Sequence, residues 1–238
     1  MGHTGDATAE HGASPERERA AHPPIRIVGL GGSLATTSAS LAALKVALEG
    51  AAATGAEIQV LDLHVLDLPM FLPTVAPPEA VVRFCNAAYS ADGLLWSSPL
   101  YNGTVSGAFK NAIDWLHLLG DRHPPYLTDK VVGLIGTAGG ALALQAVNTM
   151  EFIARSLRAW AVPLVLPIPR ASEVFDAHGG VHDPHVADQL RALGREVARA
   201  SRQMTLHGYC DWMDGRDAVR GDRDAMERAG TRRHPAAG

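Results

Sequence analysis

The chain has 238 residues, 47% of them hydrophobic, and a formal net charge of −4 at pH 7. This length and hydrophobic content are sufficient for one α/β domain with a core of ordinary size. Basic residues form no stripe, so we expect no nucleic-acid partner. No apolar run is long enough to span a bilayer and no secretory signal opens the chain, so we expect a cytoplasmic protein without a membrane partner.

Both ends of the chain lack apolar periodicity. Residues 1–24 are rich in Gly, Ala, Glu, Arg and His and end in two prolines, which predicts a disordered tail. Residues 208–238 repeat Asp, Arg and Gly, which predicts a charged second tail. The folded unit is therefore expected to cover residues 25–207. The chain has two cysteines, Cys85 in this unit and Cys210 in the second tail. They match neither a disulfide framework nor a paired metal motif.

Strand and helix patterns alternate along this unit. Short apolar runs predict strands at residues 25–30, 58–63, 93–99, 130–136 and 163–168. Helical spacing predicts helices at about residues 41–50, 78–91, 105–119, 142–160 and 190–197. Five strands separated by helices imply a parallel sheet covered on both faces. Ligands of such sheets bind at the carboxyl ends of the strands, so the loops after the first, third and fourth predicted strands are candidates.

The segment GLGGSLATTSAS, residues 29–40, follows the first predicted strand. Gly31 and Gly32 allow the backbone to approach a ligand, and the N-terminus of the next helix offers free N–H groups to an anion such as a phosphate. No Gly-Lys-Ser/Thr follows, and Leu34 stands where a dinucleotide fingerprint has its third glycine. Asp62, at the end of the second strand, remains a candidate for a ribose contact, although a strand-end Asp often caps a turn. A hydroxyl-rich helix cap without a ligand is the alternative interpretation of the whole segment.

The loop after the third strand carries the most specific motif. SSPLYNGTVSGAFKNAIDWL, residues 97–116, together with Gly32-Ser33, resembles the NADPH-dependent FMN reductases of the flavodoxin-like superfamily. The family's Pro-x-Tyr-Asn turn and Leu-Lys-Asn-x-x-Asp-Trp helix correspond to Pro99, Tyr101, Asn102, Gly103, Gly107, Lys110, Asn111, Asp114 and Trp115. The resemblance extends over about residues 25–201.

The resemblance implies a flavodoxin-like three-layer fold with strand order 2-1-3-4-5, a bound FMN and a homodimer or homotetramer. It implies that hydride passes from NAD(P)H to N5 of FMN and then to a small-molecule acceptor, which is a flavin, a quinone, an azo compound or oxygen. No catalytic side chain is expected, because the flavin performs the chemistry. Carried over by position, the expected FMN-binding residues are Ser33, Ser38, Ala39, Ser40, Pro99, Leu100, Tyr101, Asn102, Gly103, Thr137, Gly139 and Gly140.

Two departures from the family leave the choice between NADH and NADPH open. Ala35 stands where family members often have an arginine, and Leu100 stands where they frequently have a glutamate. Two alternative functions also remain: a flavin-dependent tailoring oxidase or dehydrogenase of one small metabolite, and a flavodoxin-type electron carrier.

Several titratable or aromatic residues allow both a functional and a structural interpretation. Lys110 and Asp114 are four residues apart, which favours an ion pair on one helix over catalysis. Trp96 and Trp115 are expected in the core rather than on the flavin. The segment DAHGGVHDPH, residues 176–185, offers three histidines and two aspartates to a metal, but its Gly-Gly and Asp-Pro pairs are typical of a turn and a helix start. His117 and His123 are expected near a helix C-terminus.

Overall fold

A computed structural model describes residues 23–213 of the chain. The predicted N-terminal tail lies outside these residues except for Pro23 and Pro24, and residues 214–238 of the second predicted tail lie outside them as well. No helix within the described part combines the length and the hydropathy needed to cross a membrane.

Six strands form one sheet. The strands are β1 (Arg26–Gly31), β2 (Glu57–Asp62), β3 (Gly93–Tyr101), β4 (Thr104–Val105), β5 (Val131–Thr137) and β6 (Trp160–Ile168). Five of them are parallel in the order β2-β1-β3-β5-β6, and the short β4 pairs antiparallel with the end of β3. The flavodoxin-like order predicted from the sequence is therefore confirmed, with β4 as an addition.

Helices cover both faces of the sheet. They are α1 (Ala39–Ala52), α2 (Leu63–Leu66), α3 (Glu79–Ser90), α4 (Gly107–Trp115), α5 (Leu144–Ser156), α6 (Ala171–Val174) and α7 (Pro184–Met213), with a 3₁₀ turn at Leu116–Leu119. Side chains alternate between two cores: Ile27 packs with α1 and α7, whereas Val28 packs with α3, α4 and α5. The result is the three-layer sandwich implied by the resemblance.

Helices α1 and α7 approach each other closely because both carry a glycine at the crossing. A Cβ on Gly194 would lie 1.8 Å from the carbonyl oxygen of Ala47, and one on Gly50 would lie 2.1 Å from that of Arg191. Any side chain at either position would push the helices apart. This contact fixes α1, whose N-terminus carries the segment predicted to bind phosphate.

Several element boundaries differ from the sequence prediction. Trp160, predicted to end a helix, instead begins β6, and its amide donates to the carbonyl of Lys130 at 2.8 Å. The helix ends at Ser156, and Arg158 turns the chain with a φ of 65°. The helix predicted from residue 105 begins at Gly107, after the unpredicted β4. Short apolar runs do not distinguish strand from helix by periodicity alone. The last helix continues to Met213, so the domain boundary predicted at residue 207 falls inside α7.

Candidate functional site

Three loops meet at the carboxyl edge of the sheet. They are residues 32–38 after β1, the turn at residues 102–103 between β3 and β4, and residues 138–143 after β5. Neighbouring strands bring them together: Gly31 of β1 is in register with Ser97 of β3, and Pro99 of β3 with Thr137 of β5. This edge is where parallel α/β sheets bind ligands.

The loop after β1 lies tightly against the end of β3. The amide of Gly32 donates to the carbonyl of Ser97 at 2.8 Å. A Cβ on Gly32 would lie 2.9 Å from that same oxygen and 3.0 Å from Cβ of Phe109, so only glycine fits here without displacing the backbone. The start of this loop is thus fixed against the end of β3 and the start of α4.

Three buried serines that the sequence analysis did not single out connect the loops. The Ser97 hydroxyl donates to the carbonyl of Ser40 at 2.7 Å, and Oγ of Ser98 accepts from the amide of Ser106 at 3.1 Å. The Ser106 hydroxyl donates to the carbonyl of Gly32 and accepts from the amide of Phe109 at 3.0 Å, where it caps α4. The position of Ser106 just before a helix is a readable cap signal, but its bond to Gly32 is not.

Helix α1 presents unsatisfied amides toward this loop. Ser38 is its N-cap and accepts from the amide of Leu41 at 3.2 Å, while its hydroxyl oxygen lies 2.9 Å from that of Ser40. The first intrahelical donor of α1 is the amide of Ala42, which donates to the carbonyl of Ser38 at 2.9 Å. The amides of Ala39 and Ser40 precede it and need another partner. Together with the positive end of the helix dipole they form a site for an anion.

The turn between β3 and β4 is a two-residue hairpin. Asn102 has a φ of 49° and Gly103 a φ of 88°, and Tyr101 pairs with Thr104 on either side. An Asn-Gly pair with both φ values positive is typical of a type I′ turn, so this dipeptide was the sequence signal for the missed strand β4. The hairpin holds Tyr101 at the surface, with 54% of it exposed.

The loop after β5 is held by two backbone hydrogen bonds and borders open space at its glycines. The amide of Ala138 donates to the carbonyl of Ile168 at 3.0 Å, and the carbonyl of Gly140 accepts from the amide of Arg170 at 3.1 Å. A Cβ on Gly103, Gly139 or Gly140 would meet nothing within 4 Å. The hairpin and this loop therefore border free space.

All twelve residues predicted to bind FMN lie on these loops or at the strand and helix ends next to them. Ser33, Ser40 and Thr137 are buried, and Ser38, Ala39, Pro99 and Leu100 are half-buried. The exposed ones are Tyr101, Asn102, Gly103, Gly139 and Gly140.

The chemistry of the three loops fits FMN. Residues 32–38, 99–104 and 137–143 contain no charged side chain. Free amides and hydroxyls at the start of α1 suit a phosphate, whereas the half-buried Leu100 and the ring of Tyr101 offer apolar surface to a flat ring system. Glycines leave room for the ring beside the loop after β5. The groups that suit a phosphate and those that suit a flat ring therefore lie on different loops.

The Lys-Asn-x-x-Asp-Trp motif fastens the chain that follows α2. Oδ1 of Asn111 accepts from the amide of Phe71 at 2.7 Å, and its amide group donates to the carbonyl of Pro69 at 2.9 Å. Nε1 of Trp115 donates to the same carbonyl at 2.8 Å, and its ring packs edge to face on Phe71 with centroids 5.0 Å apart. These motif residues hold residues 69–71 against α4.

The structural interpretations of other conspicuous residues are confirmed. Nζ of Lys110 lies 2.5 Å from Oδ1 of Asp114 in an exposed ion pair. Trp96 and Trp115 are buried in the core, where Trp96 packs edge to face on Phe109. Asp62 caps α2 by accepting from the amide of His64 at 3.0 Å.

Residues 176–185 form the predicted turn and helix start. Oδ1 of Asp176 accepts from the amides of Gly180 at 2.8 Å and His178 at 2.7 Å, and these bonds hold the pKa of its carboxyl below the usual range. Oδ1 of Asp183 accepts from the amide of His185 at 2.9 Å at the start of α7. Among residues 23–205, whose side chains the structure describes, no three His, Cys, Asp or Glu side chains are grouped so as to hold a metal ion.

Comparisons with known proteins place this chain among flavoenzymes. The sequence model of the family described as NADPH-dependent FMN reductase matches residues 25–173. The NADPH-dependent FMN reductase ArsH of Rhizobium meliloti (strain 1021) is 30% identical over 179 residues, which are 75% of this chain and 72% of that protein. The NAD(P)H:quinone oxidoreductase of Solanum tuberosum is 30% identical over 212 residues, 81% of this chain and 100% of its own.

Solved structures show the same fold. The flavoenzyme NAD(P)H:(acceptor) oxidoreductase FerB from Paracoccus denitrificans superposes with a TM-score of 0.63 at 23% identity, covering 76% of this chain and 98% of its own. A flavodoxin from the domain Archaea reaches a TM-score of 0.52 at 12% identity, covering 74% of this chain and 98% of its own.

Proposed function

This chain belongs to the family of NADPH-dependent FMN reductases, and we propose that the three loops form its flavin site. It is an NAD(P)H-dependent flavoprotein oxidoreductase with FMN as its cofactor. The observation that carries this proposal is the meeting of free helix amides, an exposed hairpin and an open glycine loop at one sheet edge. FMN, when bound, supplies the hydride and electron chemistry. The chain binds and orients it.

The start of α1 is the proposed phosphate site. The amides of Ala39 and Ser40 and the hydroxyls of Ser33 and Ser38 donate to the phosphate oxygens. The dianion also gains from the helix dipole, so binding needs no arginine at position 35. Because Ser97 and Ser106 fix both ends of the loop, these donors are held in place before the ligand arrives.

The hairpin and the glycine loop are the proposed ring site. Residues 99–103 line one side of the flat ring and residues 137–140 the other, where Gly139 and Gly140 allow close approach. Backbone N–H groups of these segments orient the ring and tune its potential. No side chain of the loops is required to transfer a proton.

The visible absorption spectrum tests the site. Purified protein is expected to show a flavin spectrum that bleaches when NADPH or NADH is added without oxygen, and the faster nucleotide reveals the preference. Gly139→Leu is expected to weaken FMN binding at least about tenfold, since the longer side chain enters the space left for the ring, whereas Gly139→Ala weakens it less. Protein that binds no flavin after incubation with FMN contradicts the proposal.

For the electron acceptor, we propose a neutral quinone. Leu34, Tyr101 and Leu142 are exposed on the loops, which contain no charged side chain to neutralise an anion. Relatives from Solanum tuberosum and Arabidopsis thaliana are named quinone oxidoreductases. We expect 1,4-naphthoquinone to have a kcat/KM at least about tenfold above that of its 2-sulfonate. Equal values for the two acceptors contradict a neutral site.

The chain is proposed to form a homodimer through α5. Leu144, Asn148 and Phe152 lie on one exposed stripe of this helix, and Phe152 is 75% exposed. Thr149 of α5 contacts Thr104 of the hairpin, with hydroxyl oxygens 3.2 Å apart, so this surface adjoins the flavin loops. Exposed apolar side chains such as Leu144 and Phe152 beside a ligand site are typical of an interface.

The molar mass in solution, measured by light scattering, tests the interface. Phe152→Lys is expected to give monomers, whereas Val65→Lys, at an equally exposed apolar position on α2, leaves the dimer intact. A monomeric wild type, or a dimer unaffected by Phe152→Lys, contradicts this interface.

A cytoplasmic location is proposed as well. Cys85 is a free buried thiol, and free thiols are common in reducing compartments.

A further inference from the structure

A second cleft lies at the opposite edge of the sheet from the flavin loops. It has a volume of about 420 Å³ and opens between the start of β1, the edge strand β2 and one face of α3. Its polar lining comes from Arg26, Gln59, Arg83, Asn86 and Ser90. Arg26 is the first residue of β1, so the six-residue strand separates this cleft from the flavin loops by about 17 Å.

The guanidinium of Arg26 is fixed by neutral partners only. It donates to Oγ of Ser90 at 3.2 Å and to Oε1 of Gln59. Within the described chain Arg26 forms no ion pair with a carboxylate. The nearby Asp92 instead accepts from the backbone amide of Arg26 at 2.7 Å. A guanidinium has five N–H donors, so this half-buried side chain keeps unused donors and has no described carboxylate within ion-pair distance.

Two further guanidinium groups border the same face of α3. Nη2 of Arg122 donates to Oδ1 of Asn86 at 2.9 Å, and its guanidinium lies 5.3 Å from the ring centroid of Tyr89, so it too is held by uncharged groups. Arg83 makes an exposed ion pair with Glu79 one helical turn earlier. Because residues 83, 86 and 90 follow helical spacing, the three cations are arranged along one surface.

We propose that this cleft binds a phosphoryl group, either as inorganic phosphate or as part of a small phosphorylated metabolite. Guanidinium groups that reach the cleft from different sides match a tetrahedral dianion with several oxygens better than a planar monoanionic carboxylate. The volume lies in the range of small-molecule sites. The proposal is independent of the flavin loops, which bind their own phosphate at the other edge.

Calorimetric titration of the FMN-saturated protein tests the cleft. Inorganic phosphate and glycerol 3-phosphate are titrated separately at constant ionic strength, and saturating FMN keeps phosphate out of the flavin site. We expect saturable binding of at least one of them below about 10 mM. Equal affinities identify inorganic phosphate as the ligand, and tighter binding of glycerol 3-phosphate identifies an organic phosphate.

Three variants decide whether the arginines are responsible. Arg26→Gln is expected to weaken binding at least about tenfold, and Arg83→Gln about threefold. Arg83 is exposed, so its variant folds even if Arg26→Gln does not. Arg191→Gln, which removes an arginine paired with Glu49 on another surface, leaves affinity unchanged. Absence of saturable binding, or equal affinity in all variants, overturns the proposal. Flavin bleaching by NADPH on the same samples reports separately on the proposed function.

Discussion

Ser106 offers the sharpest test of how the site is built. Its replacement by alanine removes the N-cap of α4, which costs about 1 kcal/mol of unfolding free energy. It also removes the hydroxyl that donates to the buried carbonyl of Gly32, which costs about 2 kcal/mol more. The total is about 3 kcal/mol. Because Gly32 begins the loop proposed to bind the phosphate, FMN affinity is expected to fall about tenfold as well.

A cap outside the site provides the control for this variant. Asp183 accepts from the amides of His185 and Val186 at the start of α7, so Asp183→Ala is expected to cost about 1 kcal/mol and to leave FMN affinity unchanged. Urea unfolding at equal free FMN and fluorescence titration of FMN measure the two effects separately. If Ser106→Ala matches Asp183→Ala in both measurements, the bond to Gly32 has no part in holding the loop.

Three further predictions concern the scaffold. Asn111→Ala leaves the amide of Phe71 without its acceptor and is expected to lower the free energy of unfolding in urea by about 2 kcal/mol. The control Lys110→Ala, at an exposed position on the same helix, is expected to lower it by at most about 0.5 kcal/mol. Equal losses would contradict the role of Asn111 in holding residues 69–71 against α4. Burial lowers the pKa of Lys130 from 10.5 to about 8, so between these values the unfolded chain binds more protons and the free energy of unfolding rises with pH. Lys130→Met is expected to remove this rise, which amounts to at most about 3 kcal/mol, and identical pH profiles of the two proteins would refute it. Gly194→Ala is expected to lower the free energy of unfolding by at least about 2 kcal/mol, and with it the thermal midpoint, because the added Cβ would collide with the backbone of α1. An unchanged midpoint would show that the two helices can separate without cost.

The sequence was sufficient to predict which loops meet at the candidate site. Alternating apolar runs and helices required a parallel sheet, and a parallel sheet collects its strand-end loops at one edge, so GLGGSLATTSAS and the Pro-x-Tyr-Asn turn had to lie close together. The Asn-Gly pair even contained the signal for β4. Both conclusions depend on local patterns, which are readable without knowing what packs against them.

What binds the loops together became visible only in the tertiary structure. The bond from Ser106 to Gly32 joins residues 74 positions apart, and that from Phe71 to Asn111 joins residues 40 apart. The same is true of Arg26, whose neutral partners Gln59 and Ser90 come from a different strand and from a helix. A serine, an asparagine or an arginine has the same local pattern whether it faces solvent or a distant carbonyl. Composition and periodicity determine which elements form and where their ends meet, but the packing of those elements decides which polar groups become partners.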